Sequence, residues 1–440
     1  MKTPPDQDQS ALRWEVPITW TSSLAPNSTE LKWLGREESM VEVSLPKKPD
    51  WVKFNVGQYG YYRINYPPED WATLAKLLVR EPTALAPMDR ASLLNDAFSL
   101  AESGHIGYNV PLSMTEYLQQ ETHLVAWDTV FDQLASMGSL LEFTSTFPLF
   151  RRYVVDLVSP HYDRLGWRDD GSHVERMNRY NILGLACLAG HTGCREEAGR
   201  LFQQWVDTPD NYIVPNLRSL VYKYGMLSVG GAATWNTVLE RYLNETNAQE
   251  KRKLLYGLAQ IREPWVLHRF VNLAKNESYV RSQDFFSALS YIAGNPVGNS
   301  IVWDFLRSEW NYLVDRFTLN DRYLGRQPKT VSSNFATEFK LQQLKQFFEA
   351  NPEAGAGARA RKQAVEQVSR PLSSAFITLP CSSRYYLFRR YVQLRGFNQK
   401  TTLNHNICLI GNDSFQWLLS EQCNLVKYIT SHFIQISFAR

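Results

Sequence analysis

The stretch Asp89-Arg-Ala-Ser-Leu-Leu-Asn-Asp-Ala-Phe-Ser-Leu-Ala-Glu-Ser-Gly104 decides how most of this chain must be built. Leu94, Ala97, Phe98 and Ala101 recur at helical spacing, so they share one face, and Gly104 stands where a helix of this length needs a C-cap. The preceding segment carries the same signal, with Trp71, Leu74, Ala75 and Leu78 on one face after Pro67-Pro68. From there the 3.6-residue period persists as far as residue 350. The spacing predicts helices near 68–80, 87–103, 110–122, 126–143, 147–158, 173–189, 194–207, 214–228, 232–245, 247–260, 263–275, 282–294, 297–316 and 335–350. The connectors are mostly short and contain Gly, Pro, Asn or Asp. Helices of this length joined antiparallel, without a strict repeat, predict stacked helical hairpins in a HEAT/armadillo-like superhelix.

Upstream the period is two. Residues 14–21, 40–45 and 51–56 alternate apolar and polar side chains, and 62–66 follows Gly57-Gln58-Tyr59-Gly60, which reads as a hairpin turn. About five strands would make part of a β-sandwich, and such a sheet would begin with an unpaired edge. The expected fold class is therefore mainly α, with a partial β-sandwich at 13–66 followed by the helical bowl at 67–370. Residues 1–12 read as a disordered N-terminus. In residues 371–440 helical periodicity fades, and seven Lys or Arg face only Asp413 and Glu421. That tail is either a basic terminal subdomain or a sequence foreign to the preceding fold.

The chain has 440 residues, enough at ~150 residues per domain for two or three domains. Its 44% hydrophobic and 21% charged content suits a folded protein. Lys and Arg number 47 against 44 Asp and Glu, for a net charge of +3 without a basic block, which argues against nucleic acid as a partner. The N-terminus MKTPPDQDQS lacks the apolar stretch of an export signal. No run approaches the ~20 apolar residues of a membrane span, the longest candidate being Ile182 to Ala189. Cys187, Cys194, Cys381, Cys408 and Cys423 are too few for a disulfide scaffold and too scattered for a zinc ribbon. Only the first two are close in sequence.

None of the eight histidines is followed by Glu, and no two are four residues apart, so H-E-x-x-H is absent, and with it the zinc ligands and general base it would place on one helix. Neither a G-x-S-x-G elbow nor a phosphate loop ending in Gly-Lys-Ser/Thr occurs. Gly355-Ala-Gly357-Ala-Arg-Ala360 formally matches a dinucleotide fingerprint, but it follows a helix and Asn351-Pro352 rather than a strand, and reads as a helix-to-helix turn. Asp169-Asp170-Gly171 lacks the rest of a calcium loop and reads as a turn.

Several runs, in order, carry a resemblance. They are Trp51-Val-Lys-Phe-Asn-Val-Gly-Gln-Tyr-Gly-Tyr-Tyr-Arg63-Ile-Asn-Tyr66, the stretch from Asp89 to Gly104, Tyr117-Leu with Glu121 and Trp127, Ala186-Cys187 through Cys194, and Arg281-Ser-Gln-Asp284 with Asn295-Pro-Val-Gly298, Trp303 and Trp310. Over roughly residues 13–370 the sequence resembles the C-terminal half of the zinc aminopeptidases related to alanyl and glutamyl aminopeptidase. Thr318-Leu-Asn-Asp-Arg322-Tyr-Leu-Gly325, Phe347-Phe348 and the Ala354–Gly357 turn are most similar to the glutamyl branch. The resemblance implies a sandwich and a helical bowl closing over an active site that lies in a catalytic domain absent here. Zinc, and possible calcium, would belong to that parent domain, with no cofactor in this chain. The parent would be a cell-surface or secretory ectodomain that removes N-terminal residues from peptides.

By the same resemblance, Arg322 matches an arginine that reaches toward an acidic substrate side chain, as a forked guanidinium can. Read from the residues alone, it is a surface arginine pairing with Asp321 or Asp315. Cys187 and Cys194 resemble the family's disulfide. On a straight helix their Cα atoms would be about 10 Å apart, beyond the ~7 Å limit, so the helix must break, and Gly190-His191-Thr192-Gly193 offers the place. His191 reads as a turn residue there. Sequons at Asn27, Asn244, Asn276 and Asn412 fit an extracellular parent. Two readings follow: a substrate-closing portion of an aminopeptidase, inactive alone, or a non-catalytic helical module that binds peptides or dimerises with itself or with a full-length enzyme.

Overall fold

The structure is a computed structural model that describes residues 14–208 and 212–373. The expectations for residues 1–12, for the tail beyond 373 and for Asn412 lie outside the described residues. The chain opens with β1 (Val16–Ser22) and β2 (Ala25–Leu34), an antiparallel hairpin, and β3 (Val52–Phe54) then pairs antiparallel with the other side of β1. Ile18, Trp20, Leu34 and Phe54 point from this sheet into the core.

Two predicted strands do not form. Residues 40–45 are irregular, anchoring through buried Val41 while Lys32 Nζ donates to the Glu42 carbonyl. Residues 62–66 pair with no strand because side chains take their backbone groups. Asp96 Oδ2 accepts from Ile64 N, and Asn55 Nδ2 donates to the Gly60 and Tyr62 carbonyls. The expected hairpin at 57–60 is a single 3₁₀ turn at Val56–Gln58. β2 escaped the pattern because eight of its residues are exposed and only Leu34 is buried, so no apolar face marks it.

The rest is helical. The elements are α1 (Pro68–Arg80), α2 (Pro87–Glu102), α3 (Asn109–Met114), α4 (Leu124–Leu141), α5 (Phe147–Leu165), α6 (His173–Ala189), α7 (Thr192–Asp207), α8 (Arg218–Val229) and α9 (Ala232–Asn244). They continue as α10 (Ala248–Leu258), α11 (Pro264–Ala274), α12 (Ser282–Ala293), α13 (Pro296–Ser308), α14 (Trp310–Phe317), α15 (Arg322–Val331), α16 (Glu338–Ala350) and α17 (Ala358–Ser373). From α2 to α12 the even-numbered helices touch one another in chain order, and α5, α7, α9 and α11 pack on the helices that follow them. Two rows of helices result, with the apolar residues between them. The core has two buried clusters, one from the sheet to α8 and one from α7 to α17, and Trp167 packs against both.

Differences from the expected helices have local causes. The helix expected at 110–122 divides at Thr115 into α3 and a 3₁₀ turn, and 297–316 divides at Glu309. α5 runs seven residues beyond its expected end, through Pro160. A proline there frees the carbonyl of Asp156, and Gln119 Nε2 donates to it at 3.2 Å. α15 and α17 are helices that the periodicity does not predict. Both are polar, and α15 contains Gly325 and Pro328.

α2 ends as its sequence predicts. Gly104 has φ of 79°, and His105 N reaches back to the Leu100 carbonyl. Its first turn carries buried charge. Lys53 Nζ lies 3.3 Å from Asp89 Oδ1, which also accepts from Gly57 N, so this carboxylate joins β3 and the following turn to α2. Next to it, Arg90 makes a two-pronged pair with Glu121, Nε to Oε2 at 2.6 Å and Nη2 to Oε1 at 2.8 Å. Burial opposes the charge on Glu121, but the Arg90 guanidinium and the His123 N–H outweigh it and hold the carboxyl below its ordinary range.

Two outcomes are expected. Glu121→Gln leaves a buried guanidinium short of its partner and should lower the unfolding free energy by roughly 3 kcal/mol near neutral pH. Because the folded carboxyl is the stronger acid, its contribution is complete above the unfolded value of about 4.3 and is lost as pH falls through the folded value. Urea midpoints of the wild-type and the variant should therefore converge on acidification, and a gap independent of pH would refute the assignment. Second, Gly190 has φ of 79°, and an added Cβ would overlap the Arg151 guanidinium. Gly190→Ala should cost about 1 kcal/mol or more in a thermal melt, with part of the loss relieved by Arg151→Ala.

Candidate functional site

Arg322 is the first residue of α15, and its place is set by backbone contacts on both sides. The Asp321 carboxylate caps the helix, Oδ1 accepting from Tyr323 N and Leu324 N at 2.8 Å each. That carboxylate is therefore committed to the helix and forms no ion pair with Arg322. Asp315 forms none with it either, and among the described residues Arg322 has no hydrogen-bond or ion-pair partner. Its side chain is exposed, beside Tyr323 at 65% exposure, with Arg326 exposed one turn on.

The glycines that resembled a dinucleotide fingerprint explain how α15 is held. Gly355–Gly357 is a 3₁₀ turn between α16 and α17, as expected of a helix-to-helix turn. Ala356 N donates to the Leu319 carbonyl at 3.0 Å, and a Cβ on Gly325 would lie 2.7 Å from Gly357 N. Two main chains touch here with no side chain between them. Phosphate has no place in this packing.

At the other marked position, Cys187 and Cys194 are joined by a disulfide with Cα atoms 5.2 Å apart. α6 stops at Ala189, Gly190 turns left-handed, and α7 starts at Thr192 with His191 as its N-cap, Nδ1 accepting from Cys194 N at 3.3 Å. His191 is thus a capping residue. Arg151 Nε donates to the Ala189 carbonyl and Arg195 Nε to the Cys187 carbonyl, so two guanidiniums satisfy the end of α6.

Asn27, Asn244 and Asn276 are all exposed, on β2, at the end of α9 and after α11. Asn244 borders a cleft of about 450 Å³ whose wall includes Trp205, Tyr222 and Arg241. The Arg241 guanidinium stacks 4.1 Å from the Trp205 ring and donates to the Trp205 and Val206 carbonyls, so it already holds the end of α7, while Arg218, also in the wall, pairs with Glu250 at 3.1 Å. No three His, Cys, Asp or Glu side chains among the described residues gather as metal ligands. These described residues therefore offer no zinc site. No helix among the described residues is long and apolar enough to cross a membrane.

One group invisible to motif reading stands out on the even-numbered row. The Lys223 ammonium on α8 lies 5.0 Å from the Tyr224 ring and 5.5 Å from the Tyr256 ring of α10, and Tyr256 in turn meets Tyr291 of α12 edge to face at 5.1 Å. No single-sequence signal joins residues on three helices.

Comparison with known proteins agrees with this architecture. Residues 51–370 match the family described as ERAP1-like C-terminal domain. The chain is 38% identical to rat glutamyl aminopeptidase over 370 residues, which is 83% of this chain and 39% of that protein. It is 36% identical to human glutamyl aminopeptidase, covering 83% and 38%, and 31% identical to rat aminopeptidase N, covering 80% and 37%. The chain thus spans about two fifths of the length of these relatives. The chain belongs to the ERAP1-like C-terminal domain family and corresponds to the C-terminal part of an aminopeptidase.

Proposed function

We propose that this chain is the accessory, substrate-closing portion of a zinc metalloaminopeptidase that removes N-terminal acidic residues from peptides, and that it has no peptidase activity alone. The observation that carries this reading is Arg322: an exposed guanidinium without a partner among the described residues, rooted on a helix whose start is fixed by Asp321 and by the Gly325–Gly357 contact. A forked cation so placed suits a carboxylate side chain. In this reading the two rows of helices form a HEAT-like bowl, and the sheet is part of a sandwich completed by the catalytic half. Zinc, and any calcium, would sit in that half. The sequons would lie on the outside of a cell-surface or secretory ectodomain.

A second reading, dimerisation with another copy or with a full-length enzyme, draws on the open β2 edge and on Leu31 and Trp33, 51% and 56% exposed on one face of that strand. Sedimentation alone and with full-length enzyme tests it, and a monomer at micromolar concentration in both samples refutes it.

For the first reading, the purified chain should release no anilide from a glutamyl substrate with or without added zinc. Zinc-dependent turnover would sink the claim of inactivity. Joined to the catalytic half of a glutamyl aminopeptidase, the chain should support hydrolysis, and Arg322→Ala should lower kcat/KM for glutamyl substrates tenfold or more. Alanyl substrates should change by less than about twofold. Equal losses on both substrates would exclude a role in acidic selectivity.

A further inference from the structure

Asn244 differs from the other two exposed sequon asparagines in what lies beside it. Asn27 stands in the exposed stretch of β2. Asn276 is folded back on its own turn, its Oδ1 accepting from Ser278 N at 2.9 Å. Asn244 is the last residue of α9, and its side chain forms no hydrogen bond among the described residues. With Thr246, the third residue of its sequon, it lines the cleft of about 450 Å³. That volume falls within the range of small-ligand sites, roughly 300–1,000 Å³.

The rest of the wall suits a neutral, polar occupant. Tyr222 of α8 lines the cleft and is only 5% exposed, its ring packed on Trp205 at 4.8 Å. Its hydroxyl has no hydrogen-bond partner among the described residues. A polar group so deeply set is costly to leave unpaired. Tyr212, just before α8, presents a ring that is 68% exposed, with the Arg218 guanidinium 5.7 Å from its centre. Arg218 is itself fixed, donating to the Ile213 carbonyl at 2.9 Å and pairing with Glu250. The other charged groups of the wall are also committed, Arg241 to the carbonyls ending α7 and Glu245 to Asn247 N at 2.7 Å. No counter-charge is left to attract an ion. What remains is an aromatic surface and an unpaired phenol. An N-acetylhexosamine matches both, since its ring has an apolar C–H face for the aromatic surface and its hydroxyl and acetamide oxygens accept from a phenol.

We propose that the cleft seats the first sugar of an N-linked glycan carried by Asn244, with Tyr212 against the sugar's apolar face and the Tyr222 hydroxyl donating to one of its oxygens. The occupant is attached to the wall of its own site, so its effective concentration is high and modest contacts hold it. The seated sugar ties the end of α9 to α8 and to the segment that leads into it. The inference rests on the ectodomain reading above, because sequons receive glycans in secreted or surface proteins.

The test passes the full chain through the secretory pathway of cultured cells behind a cleavable export signal. Mass spectrometry then follows each sequon during digestion with peptide N-glycosidase. In the folded protein, release from Asn244 should be at least tenfold slower than from Asn27 and Asn276, and after denaturation the rates should converge. Tyr222→Phe and Tyr212→Ala should each remove most of that protection. Unglycosylated chain made in bacteria supplies the structural control. There Tyr222→Phe deletes only a hydroxyl without a protein partner and should melt at the wild-type midpoint, whereas in the glycosylated chain it should melt lower. Asn244 found bare while Asn27 or Asn276 carries sugar overturns the seat and spares the ectodomain reading. No sugar on any of the three overturns that reading as well. Equal release from all three folded sites, or protection that survives both tyrosine substitutions, overturns the seat alone.

Discussion

The chain's two kinds of structure are joined by charge rather than by apolar packing alone. Asp89 and Arg90, adjacent on the first turn of α2, face different partners: Asp89 takes Lys53 and Gly57 from the sheet side, and Arg90 takes Glu121 from the segment before α4. Burying four charges is costly, and each is tolerable only because its partner is placed correctly. Sheet, α2 and α4 must therefore assemble together. A misregistered β3 would strand Lys53, and a shifted α4 would strand Arg90. Arg90 also donates to the Leu85 carbonyl at 2.7 Å, so the entry to α2 is tied into the same network.

Beyond this junction the array extends by repetition of simpler elements: an apolar stripe along the helix, a capping side chain at seven of the helix starts and a short turn. His123, Ser172, His191, Asn247, Asn295, Asp321 and Thr337 each accept from a backbone N–H in the first turn of their helix. Asn295 also donates to the Ala259 and Ile261 carbonyls, so one side chain starts α13 and holds the turn after α10. Caps that also bridge elements fix the angle between neighbouring helices as well as their ends.

How much of this was legible follows from what each feature leaves in sequence. α6 was readable to the residue because Ser172 and Glu175 form a capping box at its start and Gly190 follows its end. α15 was not, because Gly325 and Pro328 are breakers by rule, and only the tertiary contact with Gly357 shows why glycine is required. Residues 62–66 look like a strand from alternation alone, but the side chains of nearby Asn55 and of Asp96, 32 residues beyond Ile64, claim their backbone. Arg322 was found through resemblance to a family, and its freedom from Asp321 became visible only once that carboxylate was seen capping the helix. Lys223 could not be singled out at all, since its surroundings come from helices that sequence spacing does not relate.

The contact between Gly325 and Gly357 also bears on how the protein can vary. Most helix pairs here meet through side chains, whose volumes can be exchanged between partners so that a larger residue on one helix is matched by a smaller one on the other. Where backbone meets backbone there is no volume to trade, and the two positions are confined independently. The root of Arg322 is thus registered by main-chain atoms. Drift in core composition can reshape the neighbouring helices while leaving the guanidinium's point of attachment where it is.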